Sequence, residues 1–531
     1  MLSLRPGQKN RFWGLTGLLL AGFILLWGAA AGAGAGAGEK SSKKVEPAEL
    51  QKILAAFEKY AEQARQAWQV PGMAIAVVQE DKIVYAKGFG VKELGKAEPV
   101  QEETLFQIGS TSKAFTAALM GMLVDENKFG WQDKVVELLA DFQMADPWVT
   151  REFLVEDVMA QRSGLPGHAG DLQSILGFDR QHIIRTLRYL KPMSSFRSQF
   201  AYQNGLFLVA GALIEKSSGK GWEENIRERI FFPLGMSASS TSFQALREAK
   251  NRATGHVWNQ KGQVEMLPWD WPFHQAPYIH GPAGGINSNI LDMGKWLRLQ
   301  LAQGKFGDQR LLSETNLEFL RTPKTAAGSK WGLRHFYCEA WIYTPLCPHP
   351  LVWHNGGTQG YKTMVALVPE AGMGLVVLSN LVTDLPEALA LAFYDFYFHR
   401  PDRDWSGKLL QEFQEARKKE KLPRRPPSPA PPLPLKNYAG TYAHPVYGNL
   451  VVTADRASLA GSLGPKQVKM SFRPWDRDNF FYVLPEVDQG KDPGGASFGI
   501  GADGRAHGLV LDVDGGTEFK RVGEKSPSQN K

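Results

Sequence analysis

The chain has 531 residues, 43% hydrophobic and 22% charged, an ordinary globular composition over more length than one hydrophobic core organises. That excludes a single small module and a wholly disordered, collagenous or multi-spanning membrane protein. The net charge of +7 comes from 61 basic and 54 acidic residues; Arg5, Lys9 and Arg11 precede the first acidic residue, and the remaining +4 forms no dense basic stripe, so no nucleic-acid partner is expected.

In chain order, the basic start is followed by an uncharged run from Phe12 to Gly38. Ala33, Ala35 and Ala37 offer A-x-A-like cleavage sites, yet the run is long enough to span a bilayer. Residues 1–38 are therefore read as a signal peptide or an N-terminal membrane anchor. The expected location is exported, periplasmic or extracellular, with a membrane contact only through that segment.

Pro47 to Trp68 has the spacing of an amphipathic helix, and Met73 to Gln79 with Ile83 to Phe89 reads as a hairpin turning at Glu80-Asp81-Lys82. From Phe115 to Ile230 the apolar spacing is helical, with segments at Phe115 to Asp125, Glu152 to Met159, Gln181 to Tyr189 and Leu206 to Lys216. Strand patterns return at Leu351 to His354, Lys362 to Val368 and Gly374 to Ser379, before an apolar helix from Pro386 to Phe398. The economical fold is α+β: one antiparallel sheet built from both ends of this region, covered by terminal helices, with a helical region inserted and a cleft where the two meet.

Seven of the twelve residues from Pro423 to Pro434 are proline, which predicts a stiff, extended linker. Beyond it, short apolar runs punctuated by glycine predict a small β-barrel or sandwich. The expected organisation is 1–38 export segment, 39–405 catalytic domain, 406–436 charged and proline-rich linker, 437–523 small β domain and 524–531 disordered tail.

Ser110-Thr111-Ser112-Lys113 fits Ser-x-x-Lys at the start of a helix, a spacing that puts both side chains on one face. A serine hydroxyl needs a base within hydrogen-bond reach, and a lysine one turn away can serve if burial lowers its pKa from about 10.4. The motif alone is weak, because Ser41 to Lys44 and Ser217 to Lys220 match it too. Tyr202-Gln203-Asn204 precedes a later helix and His354-Asn355-Gly356 ends a strand. Tyr447-Gly448-Asn449 and His168-Ala169-Gly170 match the same short patterns and are set aside as chance. The conjunction of order, spacing and context carries the signal.

With Phe106-Gln107-Ile108-Gly109, Arg162-Ser163-Gly164-Leu165-Pro166, Phe232-Pro233-Leu234-Gly235-Met236 and Pro282-Ala283-Gly284-Gly285 added, residues 50 to 400 resemble the class C β-lactamase family, exported serine hydrolases related to penicillin-binding proteins. The C-terminal unit resembles a small β domain that follows the catalytic region in some members. The resemblance implies a nucleophile at Ser110, a lysine base at Lys113 and a proton-sharing tyrosine at Tyr202. Asn204, His354 and Gly356 would bind substrate, and the backbone N–H groups of Ser110 and Gly357 would form the oxyanion hole. No cofactor or metal is implied.

Where the lactamases carry Lys-Thr-Gly, this chain has His354-Asn355-Gly356. An imidazole with a reference pKa near 6.5 is mostly neutral at pH 7, so binding of a substrate carboxylate should weaken. The expected activity is therefore esterase- or peptidase-like hydrolysis of a small-molecule or peptide substrate. The alternatives are a D,D-peptidase or weak β-lactamase and, in another class, a non-catalytic cell-wall or ligand-binding protein; the C-terminal domain is the candidate contact for cell wall or a protein. Cys338 and Cys347, nine residues apart around Pro345, are expected to form a disulfide in an exported chain. Trp269 to Phe273, with Tyr278, reads either as an acyl pocket or as a packed aromatic loop.

Overall fold

Apolar strands from the two ends of the catalytic region pair with each other. Gly72–Gln79 (β1) and Lys82–Gly90 (β2) form the first hairpin. Thr325–Lys330 (β3), Leu333–Tyr337 (β4), Ile342–Thr344 (β5), Leu351–Thr358 (β6), Tyr361–Val368 (β7) and Met373–Ser379 (β8) come from the far end. All pair antiparallel in the order β2-β1-β8-β7-β6-β5-β4-β3, with Met73 of β1 opposite Ser379 of β8. The structure, a computed structural model, describes residues 45–259, 261–400, 403–419, 425–487 and 493–523. The segment 1–38 and the tail 524–531 lie outside the described residues.

Helices Pro47–Ala67 (α1), Ser112–Asp125 (α2), Gly205–Ser218 (α3), Ile290–Leu301 (α4), Leu385–Tyr397 (α5) and Trp405–Lys419 (α6) surround the sheet; α4 and α5 pack directly on it, α1 and α6 pack on α5, and α3 packs on α2. Ala74, Ala76 and Val78 of β1 join a core with Phe115 of α2 and Trp296 of α4. The alternate residues Met73, Ile75 and Val77 join a second core with Phe57 of α1 and Phe393 of α5. Both faces of the central strands are buried, so they read as unbroken apolar runs. Each fully buried Val, Ile, Met or Phe side chain among them contributes about 1.5–3 kcal/mol by leaving water.

Several expectations change. Glu152 to Met159 is not one helix: Pro147–Glu152 is helical and Val155–Val158 is a 3-10 turn. The Asp157 carboxylate accepts the Leu154 N–H at 3.0 Å and pairs with Arg162 and Arg197, which fixes a break where apolar spacing suggested continuity. Strands β3 to β5 were not expected: β3 is an exposed edge strand of small and polar residues, and β4 and β5 are only five and three residues long.

The supposed linker also begins as structure. Helix α6 buries Trp405 and Leu409 against the catalytic body, and Ser406 accepts the Trp68 indole N–H at 3.0 Å. Its charged residues had hidden an apolar stripe. The proline-rich stretch then runs along the C-terminal domain, with the Ala430 N–H on Asp476 at 2.9 Å and the Leu433 N–H on the Tyr438 hydroxyl at 2.8 Å.

That domain is a closed barrel of eight strands: Gly440–His444 (β9), Gly448–Ala454 (β10), Leu459–Leu463 (β11), Val468–Asp476 (β12), Asn479–Val483 (β13), Gly494–Ile500 (β14), Ala506–Leu511 (β15) and Thr517–Arg521 (β16). Tyr442, Leu450, Phe472, Phe480, Phe498 and Phe519 are among the side chains buried within it.

The expected Cys338–Cys347 disulfide is not formed. Both thiols are free; Cys338 is buried and bonded to the Arg321 carbonyl at 3.1 Å, and Cys347 is exposed. The chain reverses at residues 338–341 and again between Thr344 and Leu351, so β5 separates the two cysteines, with Cys338 before its start and Cys347 after its end. Native protein is therefore expected to alkylate at Cys347 alone and at Cys338 only after denaturation, read by mass spectrometry; an unreduced protein in which neither thiol alkylates would contradict this.

Candidate active site

Ser110 lies in the 3-10 turn Gly109–Thr111 that leads into α2. The end of β6 packs directly on this turn. A Cβ on Gly356 would stand 2.1 Å from the Ile108 carbonyl oxygen, and one on Gly109, whose φ is +51°, would stand 2.7 Å from the Gly357 nitrogen. Only glycine tolerates these approaches. The Thr363 hydroxyl on β7 ties the same turn down by donating to the Ile108 carbonyl at 2.8 Å. Ser110 and Gly357, the expected oxyanion-hole pair, thus line one cleft.

Lys113 is fully buried one turn along α2. Its Nζ stands 3.1 Å from Ser110 Oγ, 2.7 Å from Asn204 Oδ1 and 2.9 Å from the Ala283 carbonyl. A neutral amine has two hydrogens and one lone pair. The Asn204 and Ala283 oxygens can only accept, so they take both hydrogens and leave the lone pair for the Ser110 hydroxyl. Burial pulls the Lys113 pKa down to about 7, with the Asp171 carboxylate holding it up.

The Tyr202 hydroxyl hydrogen-bonds to Ser110, and desolvation and Asp171 push its pKa well up, so it stays a neutral phenol able to pass a proton. Asn204 bridges inward and outward: its Oδ1 accepts from Lys113 while its Nδ2 donates to Asp171 Oδ2 at 2.7 Å. Asp171 also meets His168 Nδ1 at 2.8 Å.

Asp171, the Ala283 carbonyl and Tyr337 were not anticipated from the sequence. Asp171 directly follows His168-Ala169-Gly170, the stretch set aside as a chance match, and the carboxylate after that glycine turn was the available signal. Residues Ser217 and Lys220 of the rival Ser-x-x-Lys match lie at the end of α3 and just after it, with Lys220 paired to Glu228 at 2.6 Å.

His354 departs from its expected role facing a substrate. It is 1% exposed and does not line the cleft. Its Nδ1 lies 2.5 Å from the Asn355 carbonyl, which can only accept, so Nδ1 carries the hydrogen and Nε2 accepts from the Tyr337 hydroxyl at 3.2 Å. Burial, reinforced by Lys113, drives its pKa to about 3. Asn355 points to the opposite side of β6, where its amide donates to Glu387 at 2.6 Å. The aromatic loop is packed: Trp271 and Phe273 are buried, and Trp269 stacks near Phe243 and His274.

The Lys113 shift has a sign that can be checked. The folded-state pKa lies below the unfolded value, so between about pH 7 and 10.4 the unfolded chain binds more protons and stability rises with pH. Lys113→Met, which carries no charge to bury, is expected to unfold at higher temperature than wild type at pH 7, with the gain shrinking toward pH 10.4. Thermal melts across that range check it; equal melting at pH 7 would show that the lysine carries no desolvation cost.

A family model described as Beta-lactamase matches residues 57–398, and one described as a domain of unknown function (DUF3471) matches residues 424–526. The chain is 31% identical to an unguisins hydrolase of Aspergillus campestris, over 84% of this chain and 87% of that one. It is 25% identical to penicillin-binding protein 4 of Amycolatopsis lactamdurans, over 70% and 93%, and 25% identical to the β-lactamase of Escherichia coli K12, over 59% and 84%. The octameric penicillin-binding protein homologue from Pyrococcus abyssi shares the fold, with a TM-score of 0.58 at 21% identity, covering 88% of this chain and all of that one. With a match that spans both sides of the sheet and includes Ser110, Lys113, Tyr202 and His354, the chain belongs to the beta-lactamase family of serine hydrolases.

Proposed function

We propose that this protein hydrolyses uncharged ester or amide carbonyls through an acyl-enzyme on Ser110. Ser110 Oγ attacks the carbonyl while its proton passes to the Lys113 lone pair. The N–H groups of Ser110 and Gly357 hold the oxyanion. As the bond to the leaving group breaks, the proton returns to it through Lys113 and the Tyr202 phenol. Water then releases the acyl group by the same route in reverse.

The observation that carries the substrate preference is the charge of the cleft. Among the described residues lining it are Ser110, Asp171, Asn204, His280 and Gln359, with no lysine or arginine. Burial lowers the His280 pKa, which favours the neutral imidazole. A substrate carboxylate would meet Asp171 and no fixed cation, which argues against efficient turnover of β-lactams. The Aspergillus relatives carrying the name unguisins hydrolase support a hydrolase reading. The basic start and uncharged run of residues 12–38 support export of the chain, which N-terminal sequencing and fractionation of the expressing cell would test.

A fluorophosphonate is expected to label Ser110, and Ser110→Ala to lose labelling and turnover while remaining folded. Short-chain p-nitrophenyl esters or neutral amino acid anilides should exceed nitrocefin in kcat/KM by about tenfold or more, the effect of one missing charge interaction in a partly wet cleft. An adduct at Ser112 or Ser217, or nitrocefin as the preferred substrate, would overturn the reading.

A further inference from the structure

The segment that carries Asp171 is held from two sides. One end of the barrel closes over residues 170–182. The Lys466 N–H donates to the Leu176 carbonyl at 3.0 Å, the His182 ring to the Val446 carbonyl at 3.1 Å, and the Trp271 indole to the Glu486 carbonyl at 2.8 Å. The fit is tight, since a Cβ on Gly464 would stand 2.8 Å from the Leu176 side chain.

Nearest the cleft, the Gly170 N–H donates to the Asp514 carboxylate, at 3.2 Å to Oδ2 and 3.4 Å to Oδ1. The Tyr447 hydroxyl donates to the same carboxylate. Gly170 has φ of +81° and immediately precedes Asp171. Asp171 in turn meets Asn204, and Asn204 meets Lys113. The other oxygen of Asp171, Oδ1, is buried with no hydrogen-bond partner. The carboxylate is thus aimed by its Oδ2 contacts and by the backbone beneath it, and that backbone is anchored by a residue of the barrel.

We infer that the C-terminal barrel is a positioning element of the active site: Tyr447 and Asp514 hold the Gly170 amide and thereby fix Asp171 against Asn204 and the lysine base. A partly buried carboxylate that forms no ion pair among the described residues is costly at a merely adhesive interface, where apolar contact would serve. Here it supplies the acceptor that a left-handed glycine amide needs at one defined place. The inference rests on Ser110 being an acylating nucleophile.

The test uses the full chain and a fluorophosphonate, so that no knowledge of the natural substrate enters. The labelling of Ser110 is resolved into a maximal rate and a half-saturating concentration. Asp514→Ala is expected to lower the maximal rate about tenfold while half-saturation stays within about threefold, because geometry of the base and not probe binding is lost. Asp514→Asn, which keeps an oxygen for the Gly170 N–H, should recover to within about threefold of wild type. Lys466→Ala, which trims the same interface away from Gly170, should label as wild type does.

An unchanged rate in Asp514→Ala, or an equal loss in Lys466→Ala, would overturn the inference. If Asp514→Ala does not fold, Tyr447→Phe decides instead: a fall of about threefold or more in maximal rate supports it, and no change refutes it. Wild-type protein that fails to label would overturn the hydrolase reading itself, which separates the two failures.

Discussion

Burying an amine beside a hydroxyl is the constraint on which this structure turns. Lys113 has no carboxylate in direct contact; its three polar neighbours are Ser110, Asn204 and the Ala283 carbonyl. A charged ammonium there would have lost its hydration for little return, so the group sits near its titration point at neutral pH. The same burial that weakens the fold makes a base. Asp171, one bridge away through Asn204, keeps the pKa from falling further, as distant charges do where little water screens them.

Holding this arrangement requires backbone where side chains would usually stand. The end of β6 at Gly356 and the turn at Gly109 meet without intervening Cβ atoms, and this contact sets the spacing between the Ser110 amide and the Gly357 amide. The rest of the catalytic body serves that contact. Two cores, one on each face of the sheet, fix β6, β7 and β8 relative to α2. Close packing leaves little room for rotation of either partner.

His354 shows how a substituted position finds another use. A lysine there would carry a charge toward the cleft; the imidazole instead withdraws beneath it, satisfied by Tyr337 and its own strand. Tyr202 and Tyr337 lie against its ring, at centroid distances of 6.1 and 5.9 Å. The residue therefore supports the wall behind Ser110, and the cleft is left with one carboxylate and no fixed cation among its described lining residues.

The sequence by itself determined the parts that depend on local periodicity. The spacing of Leu50, Ile53, Leu54 and Phe57 made α1 legible, the apolar runs marked β7 and β8, and the three-residue step from Ser110 to Lys113 placed both on one helix face. The order of the three motifs was enough to indicate the family and to single out Ser110. What escaped was whatever depends on residues far apart in the chain. An exposed edge strand such as β3 buries too little to leave a pattern, and the apolar stripe of α6 was hidden among charges because its partner Trp68 lies over 330 residues away. The cysteine pair looked bridgeable in sequence, but strand geometry carried Cys347 away. His168-Ala169-Gly170 and Tyr447-Gly448-Asn449, indistinguishable from chance as strings, meet only when the barrel docks and Asp514 accepts from both Gly170 and Tyr447. Burial and cross-chain hydrogen bonds are properties of the folded surface, and no short window of sequence contains both partners.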